Sequence, residues 1–263
     1  VAGEKIKAPQ FYFLYNNRMR NGSNEVAKWL FGEIKEGDVA SAVSLLSRAV
    51  EGEKTGKLKF TRTPLLNSIG RELGKLLLRE GWKFERLMQL WERGKRDERL
   101  IVIAALGEIS RREPEKTKEF VQGILDDISD WETCDQLALR VVVNLAVHNR
   151  KETFSTMEKW VKSENKWLRR LAVATIPPYI RAKPGESRVC LEFLEKVMRE
   201  EDRDVKKAVG WALREVSKKA PEEVLLFLKK WAEVEDKNTR WIIKEGMRKL
   251  PERARQELKG LIR

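Results

Sequence analysis

Hydrophobic residues recur at intervals of three and four along nearly the whole chain, the period of an amphipathic helix, and no convincing strand pattern appears. The pattern is sharpest from Val205 to Lys219. There Val205, Ala208, Val209, Ala212, Leu213 and Val216 form one apolar stripe, while Asp204, Lys207, Trp211, Arg214 and Lys218 share the opposite side. A tryptophan among charges either packs against an adjacent helix or meets a surface that is both flat and anionic, as sugar–phosphate is. Helices are predicted at 64–79, 83–93, 96–111, 114–125, 130–148, 151–162, 166–181, 185–199, 203–219, 221–232, 237–248 and 251–262. Two or three more are expected between Gln10 and Val50, broken at Asn21-Gly22-Ser23 and at Glu36-Gly37-Asp38, with Ser23 and Asp38 as N-caps. The run FYFLY reads as an end cap with its rings turned inward, and EGEKTGKLKFTRTP as a basic loop. Pro114, Pro221 and Pro251 each precede a glutamate and open a helix, where a missing N–H costs nothing and an acid complements the dipole.

Trp91, Leu125, Trp160, Val197 and Trp231 occupy matching places near the ends of first helices, 34 to 37 residues apart, each followed by a charged turn and a second helix. Paired helices at that interval predict a solenoid of helical hairpins. The tetratricopeptide consensus does not fit. The expected fold is therefore all-α, a HEAT-like helical-repeat superhelix whose second helices line a concave basic face. One domain is expected over 1–263, with divergent helices and a basic loop in 1–62 and the repeats in 63–263.

Net charge of +13 and a pI near 9.7 favour a polyanionic partner, although thermophile chains are also rich in charge, and 36% of these residues are charged. One histidine argues against His-cluster metal sites and a His-based triad. Cys134 and Cys190 read as small buried side chains in a reducing compartment. No apolar run reaches the length of a membrane span, and VAGEKIKAPQ lacks the apolar centre of a signal peptide.

Ten residues past the last four anchors lie Asp135, Arg170, Lys207 and Trp241, one per successive second helix. Arg169, Arg214, Arg240, Lys244 and Arg248 extend a basic row beside them. Ser129-Asp130-Trp131-Glu132 has the form of a capping box, which starts a helix with Trp131 and Asp135 one turn apart on one face. Leu139 and Val142 continue that face, so the carboxylate lies on a mostly apolar strip and needs a partner or a task. It either pairs with Arg170 of the next repeat, holding two hairpins together, or performs chemistry.

DWETCD, WLRRLAV and KKAVGWALRE, with LMQLWERGKRDERLIVIAALGE and PEEVLLFLKKW, resemble the AlkD-type DNA alkylation-repair family of HEAT-like DNA glycosylases. The likeness runs from about Thr63 to the C-terminus; Asp130, where the family commonly has an aromatic, and Pro177-Pro178, expected to kink or shorten their helix, depart from it. The resemblance implies that Asp135 assists glycosidic cleavage and that Trp131 and Trp211 contact the damaged nucleotide's sugar. Arg170 and Arg214 would bind the DNA backbone, and Lys207, Arg169, Arg240 and Lys244 join them as candidate DNA contacts.

The implied reaction is hydrolysis of the N-glycosidic bond of cationic alkylated purines, of the 3-methyladenine and 7-methylguanine type, in duplex DNA. The enzyme would be a monofunctional monomer that leaves an abasic site, needs no metal or organic cofactor, and works in the cytoplasm at the nucleoid. A non-catalytic HEAT-like scaffold that binds nucleic acid or protein is the alternative.

Overall fold

A computed structural model describes residues 19–51, 63–80 and 84–262, and every regular element among them is helical. The described residues fall into two compact units that divide between Gly123 and Ile124. FYFLY and most of the basic loop lie outside the described residues.

The first unit holds α1 (Met19–Glu36), α2 (Val39–Glu51), α3 (Thr63–Glu80), α4 (Phe84–Arg93), α5 (Arg96–Ile109) and α6 (Pro114–Ile124). Helix α3 packs between α1 and α5, and α2 packs on α4, so alternate helices form two layers. Asp38 caps α2 as expected, accepting from the Ser41 N–H at 2.8 Å. Ser23 does not cap a helix. It lies buried within α1, which runs unbroken across Asn21-Gly22 because Val26, Ala27, Leu30 and Ile34 supply a buried face for the whole element. Gly37 ends α1 with a φ of 90°, the left-handed closure that favours glycine.

The second unit begins with α7 (Trp131–Leu137), which passes through a single π turn (Ala138–Val142) into α8 (Val143–His148). Then come α9 (Arg150–Trp160), α10 (Lys166–Ala182), α11 (Ser187–Leu194), α12 (Arg203–Ser217), α13 (Pro221–Ala232), α14 (Lys237–Gly246) and α15 (Glu252–Leu261). The α7–α8 run, α10, α12 and α14 pack side by side in one layer, while α11, α13 and α15 follow one another in the second.

The α12 stripe is buried as its spacing predicts: Val205, Ala208, Val209, Ala212, Leu213 and Val216 are inaccessible, and none of Asp204, Lys207, Trp211, Arg214 or Lys218 is buried. Helix α10 corrects the expectation of shortening. It continues through Pro177 and Pro178 to Ala182, because every residue from Arg170 to Ile180 is buried and packing outweighs the lost backbone bonds. Pro251 caps α15 rather than opening it.

Helices α12 and α14 touch at glycine. A Cβ on Gly210 would lie 2.7 Å from Glu245 Cβ, and one on Gly246 would lie 2.8 Å from Leu213 Cδ1. Gly→Ala inside a helix ordinarily stabilises by about 0.5–1 kcal/mol. Gly210→Ala is instead expected to cost about 1–3 kcal/mol through overpacking. An unchanged or raised midpoint in urea unfolding would mean that the two helices part without cost.

Candidate functional site

The side chains singled out by sequence lie on α7, α10, α12 and α14, all within the second unit. Asp130, not Ser129, is the N-cap of α7: its Oδ1 accepts from the Glu132 and Thr133 N–H groups at 2.8 and 2.9 Å. That task accounts for an acid where the family resemblance would have an aromatic. Trp131 follows as the first residue of α7 and stands 60% exposed.

One turn on, Asp135 is largely buried and meets Arg170 of α10 in a forked bond, Nε to Oδ1 at 2.9 Å and Nη2 to Oδ2 at 2.7 Å. The third arm of the fork, Nη1, donates to the Asp204 carbonyl at 2.5 Å at the start of α12. One guanidinium thus ties three successive helices of one layer together. Lys166, one turn before Arg170, reaches Asp204 Oδ2 at 3.0 Å and lies 4.6 Å above the Trp167 ring.

Burial pushes the Asp135 carboxyl above the ordinary aspartate range; the hydrogen bonds and charge of Arg170 oppose the shift without reversing it. Burial in turn lowers the Arg170 guanidinium, but its bonds to Asp135 more than compensate and hold it firmly charged. Cys134 beside them is pushed far up by burial and by Asp135, which leaves it an inert thiol.

From Asp204 the exposed side of α12 continues through Lys207, half-buried Trp211 and Arg214. Lys207 and Lys244 are exposed and Arg240 is half-buried, and none of the three forms an ion pair among the described residues. Arg169 is otherwise employed: it forks onto Glu200 at 2.9 and 3.2 Å and donates to the Ser163 and Glu164 carbonyls. Arg214 donates to Glu245 Oε2 at 3.1 Å.

The structure therefore brings Trp131, Asp135 and Arg170 together. It sets Trp211 two turns along α12 from the Arg170 anchor and turns Arg169 toward the turn that precedes α10. The roles of Asp204, Lys166 and Glu200 escaped sequence reasoning. Their signal was one-repeat spacing, since Asp135–Arg170, Lys166–Asp204, Arg169–Glu200, Lys206–Asn238 and Arg214–Glu245 all span 31 to 38 residues. Among the described residues no group of three or more His, Cys, Asp or Glu side chains could hold a metal ion.

Helical hairpins stitched across repeats by polar bridges, with an acid and an indole on one helix, define a HEAT-like helical-repeat protein. The sequence from 57 to 250 matches the family of DNA alkylation repair enzymes, and the chain belongs to that family. No protein of curated function matches the sequence.

Solved structures that share the fold include three from bacteria. Protein smu.31 of Streptococcus mutans UA159 is 20% identical over 71% of this chain and 100% of its own, with a TM-score of 0.52. AlkD2 of Streptococcus mutans is 19% identical over 76% and 96%, with a TM-score of 0.57. The alkylpurine DNA glycosylase AlkC of Pseudomonas fluorescens, bound to DNA containing an abasic site analog, is 17% identical over 86% of this chain and 62% of its own, with a TM-score of 0.57.

Proposed function

We propose that the protein is a monofunctional DNA glycosylase that hydrolyses the N-glycosidic bond of cationic alkylated purines in duplex DNA, with Asp135 as the catalytic carboxylate. The observation that carries this reading is the Asp135 carboxylate, clamped by Arg170 one helical turn from the open ring of Trp131, in a chain of the DNA alkylation repair family. The abasic-site analog held by AlkC, one of the proteins that share the fold, is the kind of product such an enzyme leaves.

A purine alkylated at N3 or N7 already carries a positive charge, so it departs without a general acid. The C1′–N bond breaks with its electron pair passing to the base, and the sugar becomes an oxocarbenium ion. Asp135 stabilises that cation and orients water toward C1′; the water's proton leaves through the carboxylate to solvent. The π faces of Trp131 and Trp211 attract the same cationic sugar. Lys207, Arg240 and Lys244 supply phosphate contacts.

Arg170 is reassigned on this reading. Its fork is filled by Asp135 and the Asp204 carbonyl, so it acts as a positioning residue instead of a phosphate ligand. The enzyme would act as a monomer on chromosomal DNA, in the cytoplasm at the nucleoid.

The alternative, a repeat module that binds without chemistry, draws on the same Asp135–Arg170 bond as a structural rivet between hairpins. Base release from duplex methylated on its purine nitrogens, followed against pH, separates the two. Only the anion stabilises the sugar, so activity belongs to the high-pH side of the Asp135 titration and falls as pH drops through it. Burial moves that limb above the ordinary aspartate range. Duplex binding with no base released at any pH would leave the rivet alone.

A further inference from the structure

At the C-terminal end of α12 the second unit opens a cavity of about 680 Å³. Arg214 lines it from α12, Arg248 and Lys249 from the 3-10 turn Met247–Lys249, and Glu252, Arg255 and Lys259 from α15. Glu252 is engaged by Arg255 and by Gln256 Nε2, and the one carboxylate of Glu245 serves both Arg214 and Arg248 at 3.1 Å each. Five cations thus meet two carboxylates, and three positive charges are left in surplus.

Arg214 lies beside that surplus, half-buried. Burial and the neighbouring Arg248 pull its guanidinium below the usual value despite Glu245, whereas Arg169 and Arg170 are both raised by their own carboxylates. Clustered cations of this kind call for a multivalent oxyanion, and forked guanidinium donors match phosphate. Arg214 is also three residues from Trp211 on one face of α12, about 4.5 Å along the axis.

We propose that this cavity is a phosphate seat, and that its occupant is a backbone phosphate of the duplex whose sugar meets Trp211. The occupant rests on the glycosylase reading, through Trp211; the anion chemistry does not. Seated there, a phosphate fixes the strand beside the damaged nucleotide and sets which sugar comes to Asp135.

The test is the full-length Lys249→Gln/Lys259→Gln protein, both positions being exposed. Affinity for unmodified duplex is expected to fall roughly tenfold at moderate salt, and the slope of log K against log salt to shrink by about 1–2. Lys159→Gln/Lys162→Gln, an equal loss of charge at exposed positions on and just after α9, is expected to leave the slope in place. An unchanged slope in the cavity variant, or an equal change in both, overturns the proposal.

Pyrophosphate serves as the free-phosphate probe. If it raises the unfolding temperature only when Lys249 and Lys259 are present, while the duplex slope is unchanged, the seat belongs to a small phosphate ester and the DNA assignment fails. Base release reports separately: a protein that binds duplex through this cavity but frees no base removes the glycosylase reading and leaves the seat. A protein that frees base with an unaltered slope does the reverse.

Discussion

Asp135→Asn is expected to lower base release from methylated duplex by a hundredfold or more while duplex affinity and its salt dependence stay close to those of the unaltered protein. The asparagine keeps the shape of the side chain and one acceptor for Arg170 but loses the charge that opposes the oxocarbenium ion. Removal of a single preorganised electrostatic contact of this kind costs about 10²–10³ in rate. Affinity is carried by phosphate contacts at other residues, so it has no reason to follow. The measurement is single-turnover release with protein in excess, beside an anisotropy titration of the same duplex. Equal release by the two proteins removes Asp135 from the mechanism; equal loss of release and of binding assigns it to the fold.

Arg170→Ala is expected to damage both stability and chemistry. It strands a mostly buried carboxylate and leaves the Asp204 carbonyl without its guanidinium donor. Breaking one side of a buried ion pair costs about 3–5 kcal/mol, a large part of the roughly 5–15 kcal/mol that holds an ordinary domain together. Arg170→Lys keeps the charge without the fork and gives a protein better suited to kinetics. Because Arg170 is what restrains the upward shift of Asp135, the acid limb of base release is expected to move to higher pH in the lysine variant. A bond that only holds hairpins together would lower the unfolding temperature and leave that limb where it was. Duplex affinity corrected for folded protein should change little. A salt slope smaller by about 1 would instead return Arg170 to the phosphates.

Much of this architecture was readable from periodicity. The α12 stripe and its opposite face came directly from spacings of three and four, since burial of one side of a helix is all that such a pattern encodes. The repeat interval placed Asp135 and Arg170 at equivalent positions on successive second helices, so their pairing could be posed from sequence as a structural bond. Whether the same bond also serves chemistry could not be posed further, because spacing reports adjacency and not exposure.

Other features depend on geometry that spacing does not carry. Ser129 and Asp130 are both good caps, and only the backbone turn decides which side chain meets the free N–H groups. Pro177 and Pro178 look like helix breakers until the burial of α10 along its length is known. Arg169 reads as one more surface cation, yet Glu200 and two carbonyls claim it. The C-terminal cavity was invisible because it gathers Arg214 with residues some forty positions later, across elements whose packing no local pattern records.

The π turn between α7 and α8 fixes how the layer of α7–α8, α10, α12 and α14 is indexed. A π turn accommodates one surplus amino acid without breaking the rod, and such turns recur at functional sites. Each residue of a helix advances it by about 100°, so excising one residue between Ala138 and Val142 and restoring regular winding would swing Trp131 and Asp135 around the axis relative to the anchored Val143–Ala146 half. The carboxylate would leave its guanidinium and the indole would leave its side of the layer, with nearly every apolar contact of α8 retained. The heading of the front half is thus keyed to the rear by a single inserted residue, and a one-codon deletion would leave a folded repeat array with its acid facing the wrong way.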